Sequence, residues 1–357
     1  MMKINVSRFT KRKKAKFSIE VLTPMFLGGA SGAAEVRTPP LRNAIRYWWR
    51  ITQGDIPREQ LLQKEQKLFG GVTEKACRSL VEVTVSGQIK TGSTDEKDEM
   101  GQKKNSEANN RNVPLSAYLG MGPVDFNGKY TRTRILPGEI FRLAVSFPGS
   151  HIREMSEALS LFKAFGGLGA RSRNGWGSFQ LHLVESEEME LLGTTEIFSK
   201  FGKEISQIFS TDKKYPFRLG VSEGKYLLWE AGRASTWKKA MEAAGEKYMD
   251  LRQQDTLTFP KNSSKNIEKR HILGYPVTNH PIHNWGGNNG RMPSQLRILV
   301  RKKNEQYVTL FFHLPHRIPK KWDEKRLGNE LDLWKQIHNY LDQKCKRVTG
   351  DLERTIK

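Results

Sequence analysis

One segment, GGLGARSRNGWG at residues 166–177, combines residue types that suit contact with a phosphate backbone. Glycine adopts positive φ without strain and lets a second backbone approach closely. Arginine forks among the glycines can bind phosphate, and the tryptophan could stack on a base. The pattern predicts nucleic-acid contacts at Gly166, Gly167, Gly169, Arg171, Arg173, Gly175 and Trp176. The alternative is a tight connector before a strand, with the tryptophan in the core.

Two nucleotide-binding motifs are excluded for this loop. In a Rossmann fingerprint the glycine loop leads from a strand into a helix, whereas here a predicted helix at residues 152–165 comes before the loop. A P-loop needs Gly-Lys followed by Ser or Thr, which this loop lacks. The segment is therefore not expected to bind a dinucleotide or a nucleoside triphosphate.

A predicted helix from Leu41 to Thr52 carries an arginine at every fourth position. Its apolar residues share another face, so the helix can bury one side and present guanidinium groups on the other. The stripe predicts phosphate contacts by Arg42, Arg46 and Arg50. Trp49 lies near these arginines on the helical wheel, so it could face either a base or the core. The alternative for the stripe is a solvent-exposed helical face.

The histidines give no convincing catalytic or metal site. Two H-x-x-H pairs occur, at residues 280–283 and 313–316. Neither has nearby in the sequence the cysteine or carboxylate ligands that would complete a zinc site. The candidates for a general base that would cleave RNA through its 2′-hydroxyl are His151, His271 and His283, and none has an evident partner. We therefore expect no catalytic residue, no metal and no cofactor.

The charge of the chain points to a polyanionic partner. Of 357 residues, 60 are Lys or Arg and 38 are Asp or Glu, which gives a net charge of +22. Such an excess repels itself unless a polyanion neutralises it. The sequence shows no basic amphipathic helix or lipid signal that would favour a membrane, so nucleic acid is the preferred partner. From charge alone, a merely basic protein is the alternative. Two cysteines and a polar N-terminal stretch favour the cytoplasm.

The order of predicted elements indicates an α+β protein of two domains. The predicted strands are residues 17–21, 81–85, 135–147, 178–184, 217–221, 226–229, 271–277, 295–303 and 306–314. The predicted helices are residues 41–52, 58–69, 152–165, 233–253 and 322–346. Residues 1–190 follow the β-α-β-β-α-β order of a ferredoxin-like domain. Residues 90–112 contain almost no apolar side chains, so we expect a mobile insertion there. Residues 191–357 predict a second domain of related type.

Three segments together resemble the RAMP superfamily, whose members are subunits of CRISPR effector complexes. Residues 23–50, TPMFLGGASGAAEVRTPPLRNAIRYWWR, are similar to the family signature of TP-x-F-x-GG, then E-x-R-x-P, then a helix ending in R-x-WWR. The second segment is Phe69, Gly70 and Gly71, and the third is FGGLGARSRNGWGSF at residues 165–179. Their order and spacing resemble those of subunits of the type III-B complex.

The resemblance implies two ferredoxin-like, RRM-like domains in tandem, a place at the 3′ end of the guide RNA, and other RAMP subunits as neighbours. It also implies that the complex captures target RNA and that a different subunit cleaves it. By position, the guide-RNA contacts would include Arg37, Arg42, Arg46, Arg50, Arg171, Arg173 and Asn174.

Two other functions stay open. One is a repeat-processing RNA endonuclease of the same superfamily. Such enzymes carry a glycine-rich loop near the C-terminus, whereas the loop here is in mid-chain, which favours a binding subunit. The other is a basic scaffold whose charge serves only subunit packing.

The charge makes a direct prediction about salt. With roughly 6–10 phosphate contacts, the affinity for single-stranded RNA should fall by about 10³–10⁵ between 50 and 200 mM salt, because bound counterions are released. Fluorescence anisotropy of a labelled RNA over that range measures the slope. A flat response would contradict the electrostatic account.

Overall fold

The protein is described by a computed structural model that covers residues 12–29, 31–72, 76–94, 96, 101, 103–106, 111–210, 218–259, 267–277, 280–318 and 328–352. Helices and sheets are mixed, and the described residues form two compact units. Unit 1 draws on Met1–Glu96, Tyr130–Ser172 and Trp176–Phe201, and unit 2 on Lys97–Lys129, Arg173–Gly175 and Gly202–Lys357. The division of domains at residue 190 stays a prediction. None of the helices in the described ranges is long and apolar enough to cross a membrane.

The elements up to residue 201 alternate between the two units. The strands are β1 (Arg12–Val21), β2 (Gly71–Val72), β3 (Ala76–Cys77), β4 (Glu82–Ser86), β5 (Thr91–Gly92), β6 (Lys103–Ser106), β7 (Arg111–Pro114), β8 (Arg134–Ile135), β9 (Ile140–Pro148) and β10 (Phe179–Ser186). The helices are α1 (Thr38–Thr52), α2 (Arg58–Phe69), α3 (Leu115–Gly120), α4 (Ile152–Phe165) and α5 (Thr194–Phe201).

The elements after residue 201 belong to unit 2. The strands are β11 (Gly202–Glu204), β12 (Leu219–Ser222), β13 (Lys225–Tyr226), β14 (Leu228–Ala234), β15 (Leu296–Lys303), β16 (Gln306–His313) and β17 (Lys346–Arg347). The helices are α6 (Ile205–Ser210), α7 (Trp237–Arg252) and α8 (Glu330–Lys344).

The main sheet of unit 1 has the strand order β10-β1-β9-β4, and its neighbouring strands are antiparallel. Strand β1 buries Phe17, Ile19 and Val21 on one face, because side chains alternate along a strand. It begins five residues earlier than the alternation of apolar residues predicts. Lys13 and Lys16 of this extension form ion pairs with Glu188 and Glu185, and residues 8–11 of the basic N-terminal segment lie outside the described residues.

Helices α1 and α4 pack against each other in unit 1. Helix α1 has Pro39 in its first turn, where proline is tolerated because that N–H has no helical partner. Its buried face includes Leu41, Ile45 and Trp48, as predicted. Helix α4 has the bounds predicted from the sequence and ends where Gly166 begins the glycine loop.

The insertion predicted to be mobile at residues 90–112 contains ordered elements where it is described. Strand β5 pairs with β8 in unit 1, and β6 pairs with β7 in unit 2. Lys104 of β6 donates to Asp250 of α7 at 2.5 Å and lies 3.6 Å from Glu246. Charged side chains thus connect Lys104 to α7, and the mobility of the insertion as a whole stays a prediction.

The main sheet of unit 2 has the order β15-β16-β14-β17, again antiparallel. Helix α7 lies against it, and the Thr309 hydroxyl donates to the carbonyl of Ala240 in that helix. The hairpin of β15 and β16 confirms the predicted strands. The predicted strand at residues 271–277 is wrong: a 3₁₀ turn occupies Lys269–Leu273, and Glu268 and His271 form its capping box. Turn formation by polar side chains overrides the strand propensity of this segment.

A buried histidine pair joins α8 to the sheet of unit 2. His313 Nδ1 lies 2.9 Å from His338 Nε2, and the His313 ring stacks on Trp334 with 3.8 Å between centroids. Burial lowers the pKa of His338 to about 3 and brings the pKa of His313 well below its usual range. Both rings are therefore neutral in the folded protein at pH 7.

The pair should make the stability of unit 2 depend on pH. An unfolded histidine has a pKa of about 6.5. At a pH between the histidine pKa of the folded protein and that of the unfolded protein, the unfolded state binds a proton that the folded state does not bind. The free energy of unfolding therefore falls as the pH drops below about 6.5. The slope is at most about 1.4 kcal/mol per pH unit for each histidine. His338→Gln should make the loss of unfolding free energy between pH 7 and 5 smaller, as measured by urea denaturation. Equal pH slopes in the two proteins would contradict this.

Candidate nucleic-acid interface

The glycines of the 166–177 loop fit against protein backbone. Gly169 has φ +84°, and a Cβ there would lie 2.6 Å from the carbonyl oxygen of Phe26. The next amide, of Ala170, donates to that same oxygen at 3.0 Å, and the Gly177 amide donates to Pro24 at 3.0 Å. The missing side chain thus makes room for the strand-end segment that follows β1. The sequence correctly indicated that another backbone comes close to this glycine, but that backbone belongs to the protein itself.

The other predicted glycine contacts are corrected in the same way. Gly166 and Gly175 are buried, so they cannot touch RNA. A Cβ on Gly166 would meet the Phe162 oxygen, and one on Gly175 would meet Ile298. Gly167 is half-buried and faces the carbonyl oxygen of Ser172. Contact by Gly167 or Gly169 with RNA stays a prediction, and the need for glycine there has a structural reason.

The two tryptophans predicted as possible base contacts lie in the core. Trp176 is fully buried and packs on Phe26, with ring centroids 5.3 Å apart. Trp49 is buried, and its indole N–H donates to Glu154 at 3.0 Å. Neither ring has a face open to a base, so the predicted stacking role is wrong for both. On α1, position 49 falls toward the α4 side of the helix, which the sequence left open.

The arginine stripe on α1 is partly neutralised by a buried acid. Glu65 of α2 is buried and accepts from Arg50 through two hydrogen bonds of 2.7 Å, and it also accepts from Arg46. Burial lowers the pKa of both arginines, and each is lowered further by the arginine four residues before it. The side chains of Arg46 and Arg50 are still 34% and 37% exposed, so their contact with RNA stays a prediction, with Glu65 as an internal competitor. Glu65 shares the apolar face of α2 with Leu61 and Leu68, a buried acid that the spacing could have revealed.

Arg42 and Arg37 lie near the start of α1. Arg42 is half-exposed and forms no ion pair within the described part of the chain. Arg37 comes directly before the helix, with its Nε 3.7 Å from Glu35. Two charges of the predicted set are thus positioned by one helix end.

A small exposed turn lies beside the glycine loop in unit 1. Gly28 pairs with Ala34, and the Gly29 amide donates to the Ala33 carbonyl at 2.7 Å, which closes a tight hairpin. Gly32 has φ +81°, and a Cβ added there would meet nothing within 4 Å. The Thr133 hydroxyl donates to its carbonyl, and this places the exposed Arg132 next to the turn.

We give the name tip surface to five exposed residues of this region: Gly28, Ser31, Gly32, Arg132 and Arg171. The exposed Glu35 belongs to the same hairpin. Arg171 has φ +59° and follows Ala170, whose amide is bonded to Phe26. Sequence reasoning missed Arg132. The TRTR repeat at residues 131–134 is the signal that could have found it, because it alternates arginine with small polar residues.

Residues Arg173–Gly175 belong to unit 2. The Arg173 carbonyl accepts from the Ile298 amide at 2.8 Å, and the Asn174 side chain donates to Leu119 at 3.0 Å. Burial lowers the pKa of His316, and the charges of Arg297 and Arg173 lower it further. The predicted residues of one loop are therefore divided between the two units, and their contacts with RNA stay predictions.

The three histidines considered for catalysis differ in exposure. His271 is fully buried, and its Nδ1 bonds to the backbone of Glu268. His151 lies 3.7 Å from Glu154, and His283 is exposed. Within the described ranges, no group of three or more potential metal ligands comes together.

Comparison with known proteins agrees with the motifs. Residues 18–180 match the RAMP superfamily. The matched range contains all three motifs that resemble this superfamily.

Within that superfamily the chain resembles the first subunit of the Cmr complex. The Cmr subunit Cmr1-1 of Pyrococcus furiosus is 28% identical over 171 residues, which is 46% of this chain and 46% of that protein. The match thus spans less than half of the relative's own length. Among solved structures, Cmr1 from Pyrococcus furiosus in its apo form has 16% identity and a TM-score of 0.48 over 94% of this chain and 99% of that one.

A chain of the type III-B Cmr-beta complex bound to cognate target RNA has 12% identity and a TM-score of 0.52. It covers 92% of this chain and 100% of that one. At this identity the likeness concerns the fold.

Two glycines of similar φ provide a test of the backbone contact. Gly32→Ala should cost about 1 kcal/mol, because only the conformation is strained. Gly169→Ala carries the same strain and a clash with Phe26, so it should cost about 1–3 kcal/mol more. Thermal and urea unfolding of both variants measures the difference. Equal losses would show that the close approach at Gly169 contributes nothing.

Proposed function

We propose that the chain is a non-catalytic RNA-binding subunit of a type III-B CRISPR effector complex. It contacts the 3′ region of the guide RNA and helps to capture target RNA in antiviral defence. The observation that carries the proposal is the tip surface, where exposed glycine backbone and exposed arginines lie together within the region of RAMP type. Its partners would be guide RNA, target RNA and other RAMP subunits, in the cytoplasm.

The fold supports two ferredoxin-like domains. In each unit the strand that comes first pairs with the third and the fourth, and the second lies at the edge beyond the third. A helix follows the first strand and another precedes the fourth, as in a β-α-β-β-α-β unit. We therefore assign one such domain to each unit. Strands β5 and β8 are additions between the middle strands of the first, whereas β6, β7 and α3 are inserted at the same point of the chain but belong to unit 2.

The charge distribution supports phosphate binding at the tip surface. Arg132 and Arg171 are exposed, and Arg42 adds a half-exposed charge on α1. Arginine is suited to phosphate because its planar fork makes charge-assisted hydrogen bonds. Arg46 and Arg50 contribute less, since Glu65 already accepts their hydrogen bonds. Gly28 and Gly32 leave room for a sugar-phosphate backbone to approach.

A binding role is favoured over the endonuclease alternative by the positions of the candidate bases. A general base must reach the proton it removes. His271 is buried and bonded to backbone atoms of Glu268 and His280. His283 is exposed on a 3₁₀ turn of unit 2.

The proposal is tested by two arginine variants. Arg132→Gln and Arg171→Gln should each weaken binding of a guide-length single-stranded RNA, because each removes a charge-assisted contact of about 1.5–3 kcal/mol. The salt slope should fall by about 0.7 for each lost phosphate contact. Arg78→Gln serves as the matched control, since Arg78 is 90% exposed and faces Glu82 outside the tip surface.

Variants that bind like the Arg78→Gln control would show that the RNA surface lies elsewhere. The same samples, incubated with labelled CRISPR repeat RNA without metal, test the enzyme question. Sequence-specific cleavage that disappears in His283→Ala or His151→Ala would support the endonuclease instead.

A further inference from the structure

Arg252 and Arg270 of unit 2 lie among neighbouring aromatic rings and influence each other's charge. Arg252, at the end of α7, donates from Nη1 to the Tyr118 hydroxyl at 2.6 Å. Its guanidinium carbon also lies 5.4 Å from the Tyr118 ring centroid and 5.7 Å from that of Tyr248. Arg270, in the 3₁₀ turn, lies with its guanidinium carbon 5.1 Å from the ring of Phe259. Aromatic faces thus hold both cations in fixed positions.

The two guanidinium groups are close enough to repel each other. The pKa of Arg270 is lowered to about 10, first by burial and then by the charge of Arg252. Tyr118 and Tyr248 counteract this only in part, and Tyr248 stays an uncharged phenol because burial raises its pKa. Arg270 Nε is buried and has no hydrogen-bond partner among the described residues. Two like charges are therefore held close to each other, and the Nε of Arg270 is left without an acceptor among the described residues.

The arginine pair of α1 shows how the same chain neutralises such a cluster. There, buried Glu65 lies between Arg46 and Arg50. Around Arg252 and Arg270, the described residues provide no ion pair with a carboxylate. A half-buried pair of cations without an anion costs free energy unless a ligand supplies the missing charge.

We propose that Arg252, Arg270 and Tyr118 form a binding site for one phosphodiester group of single-stranded RNA. Arg252 and Arg270 would donate to its two non-bridging oxygens, and Tyr118 would orient the fork of Arg252. The site rests on the proposed function and adds to it a contact in unit 2 that is separate from the tip surface.

A phosphodiester suits the site better than a carboxylate of an acidic protein. Phosphate oxygens accept several hydrogen bonds from arginine forks in a bidentate geometry. The net charge of +22 attracts a polyanion over a longer range than a single carboxylate. A neighbouring phosphate of the same strand can then interact with the rest of the basic surface.

The test compares Arg270→Gln with Arg233→Gln in the full chain. Arg233 is the matched control because it belongs to the same unit and donates to Glu230 at 3.0 and 3.1 Å. The probe is a labelled 20-nucleotide oligouridine, with affinity measured by fluorescence anisotropy from 50 to 200 mM salt. Arg270→Gln should bind about tenfold to a hundredfold more weakly, with a salt slope smaller by about 0.7. Its melting temperature should not fall, because the substitution relieves the repulsion of Arg252.

Three outcomes overturn the inference. If wild type binds the RNA and Arg270→Gln binds it as Arg233→Gln does, the site is wrong while the proposed function stands. If wild type does not bind the RNA, the proposed function fails and the site fails with it. If Arg270→Gln leaves RNA affinity unchanged but weakens binding of an oligoglutamate peptide, the site takes carboxylates.

A second variant guards against loss of folding. Arg270→Lys keeps the charge but lacks the planar fork. It should retain the melting temperature and the salt slope and bind the oligouridine several-fold more weakly than wild type. Wild-type affinity in Arg270→Lys, with a lower melting temperature in both variants, would assign the arginine to stability and overturn the proposal.

Discussion

The close backbone contact between the residues after β1 and the loop of residues 166–177 is the constraint on which the tip surface depends. The Gly177 amide donates to Pro24 and the Ala170 amide to Phe26, so the end of the first strand and the approach to the last are joined there. This contact fixes the position of the Arg171 backbone, because Arg171 directly follows Ala170. It also brings Trp176 onto Phe26 in the core of unit 1. An exposed arginine and a buried tryptophan are therefore two results of one backbone arrangement.

A second constraint decides which of the many cations can meet a ligand. Arginine is abundant in this chain, but a guanidinium group can bind a phosphate freely only where it is not already paired with a carboxylate of the protein. Glu65 neutralises part of the α1 stripe, and Lys13 and Lys16 are paired across the sheet. The net charge of the sequence thus overstates the number of contacts, and the pairing pattern identifies the places where they can form.

The sequence was informative wherever a local pattern determines the result. The bounds of α4 and the strands around residues 296–313 follow from periodicity, and the glycines at 166–177 do mark a close approach. Long-range partners were not visible. Nothing in residues 166–177 shows that Phe26 supplies the opposing carbonyl, and nothing in α1 shows that Glu65 lies beneath its arginines. The 3₁₀ turn near His271 was missed because a capping box overrides the apolar residues around it.

The assignment of residues 97–129 to unit 2 has a consequence for synthesis on the ribosome. Helix α3 packs against α7, and a Cβ on Gly245 would lie 2.9 Å from the Leu115 carbonyl oxygen. These two helices are separated by more than a hundred residues in the chain. Domains fold as the chain emerges, beginning at the N-terminus. The last strand of unit 1 is complete before α7 has been translated. The segment around α3, whose two ends both connect to the finished sheet of unit 1, can pack against α7 only after α7 has been translated. A fragment that starts after residue 201 would lack this segment altogether.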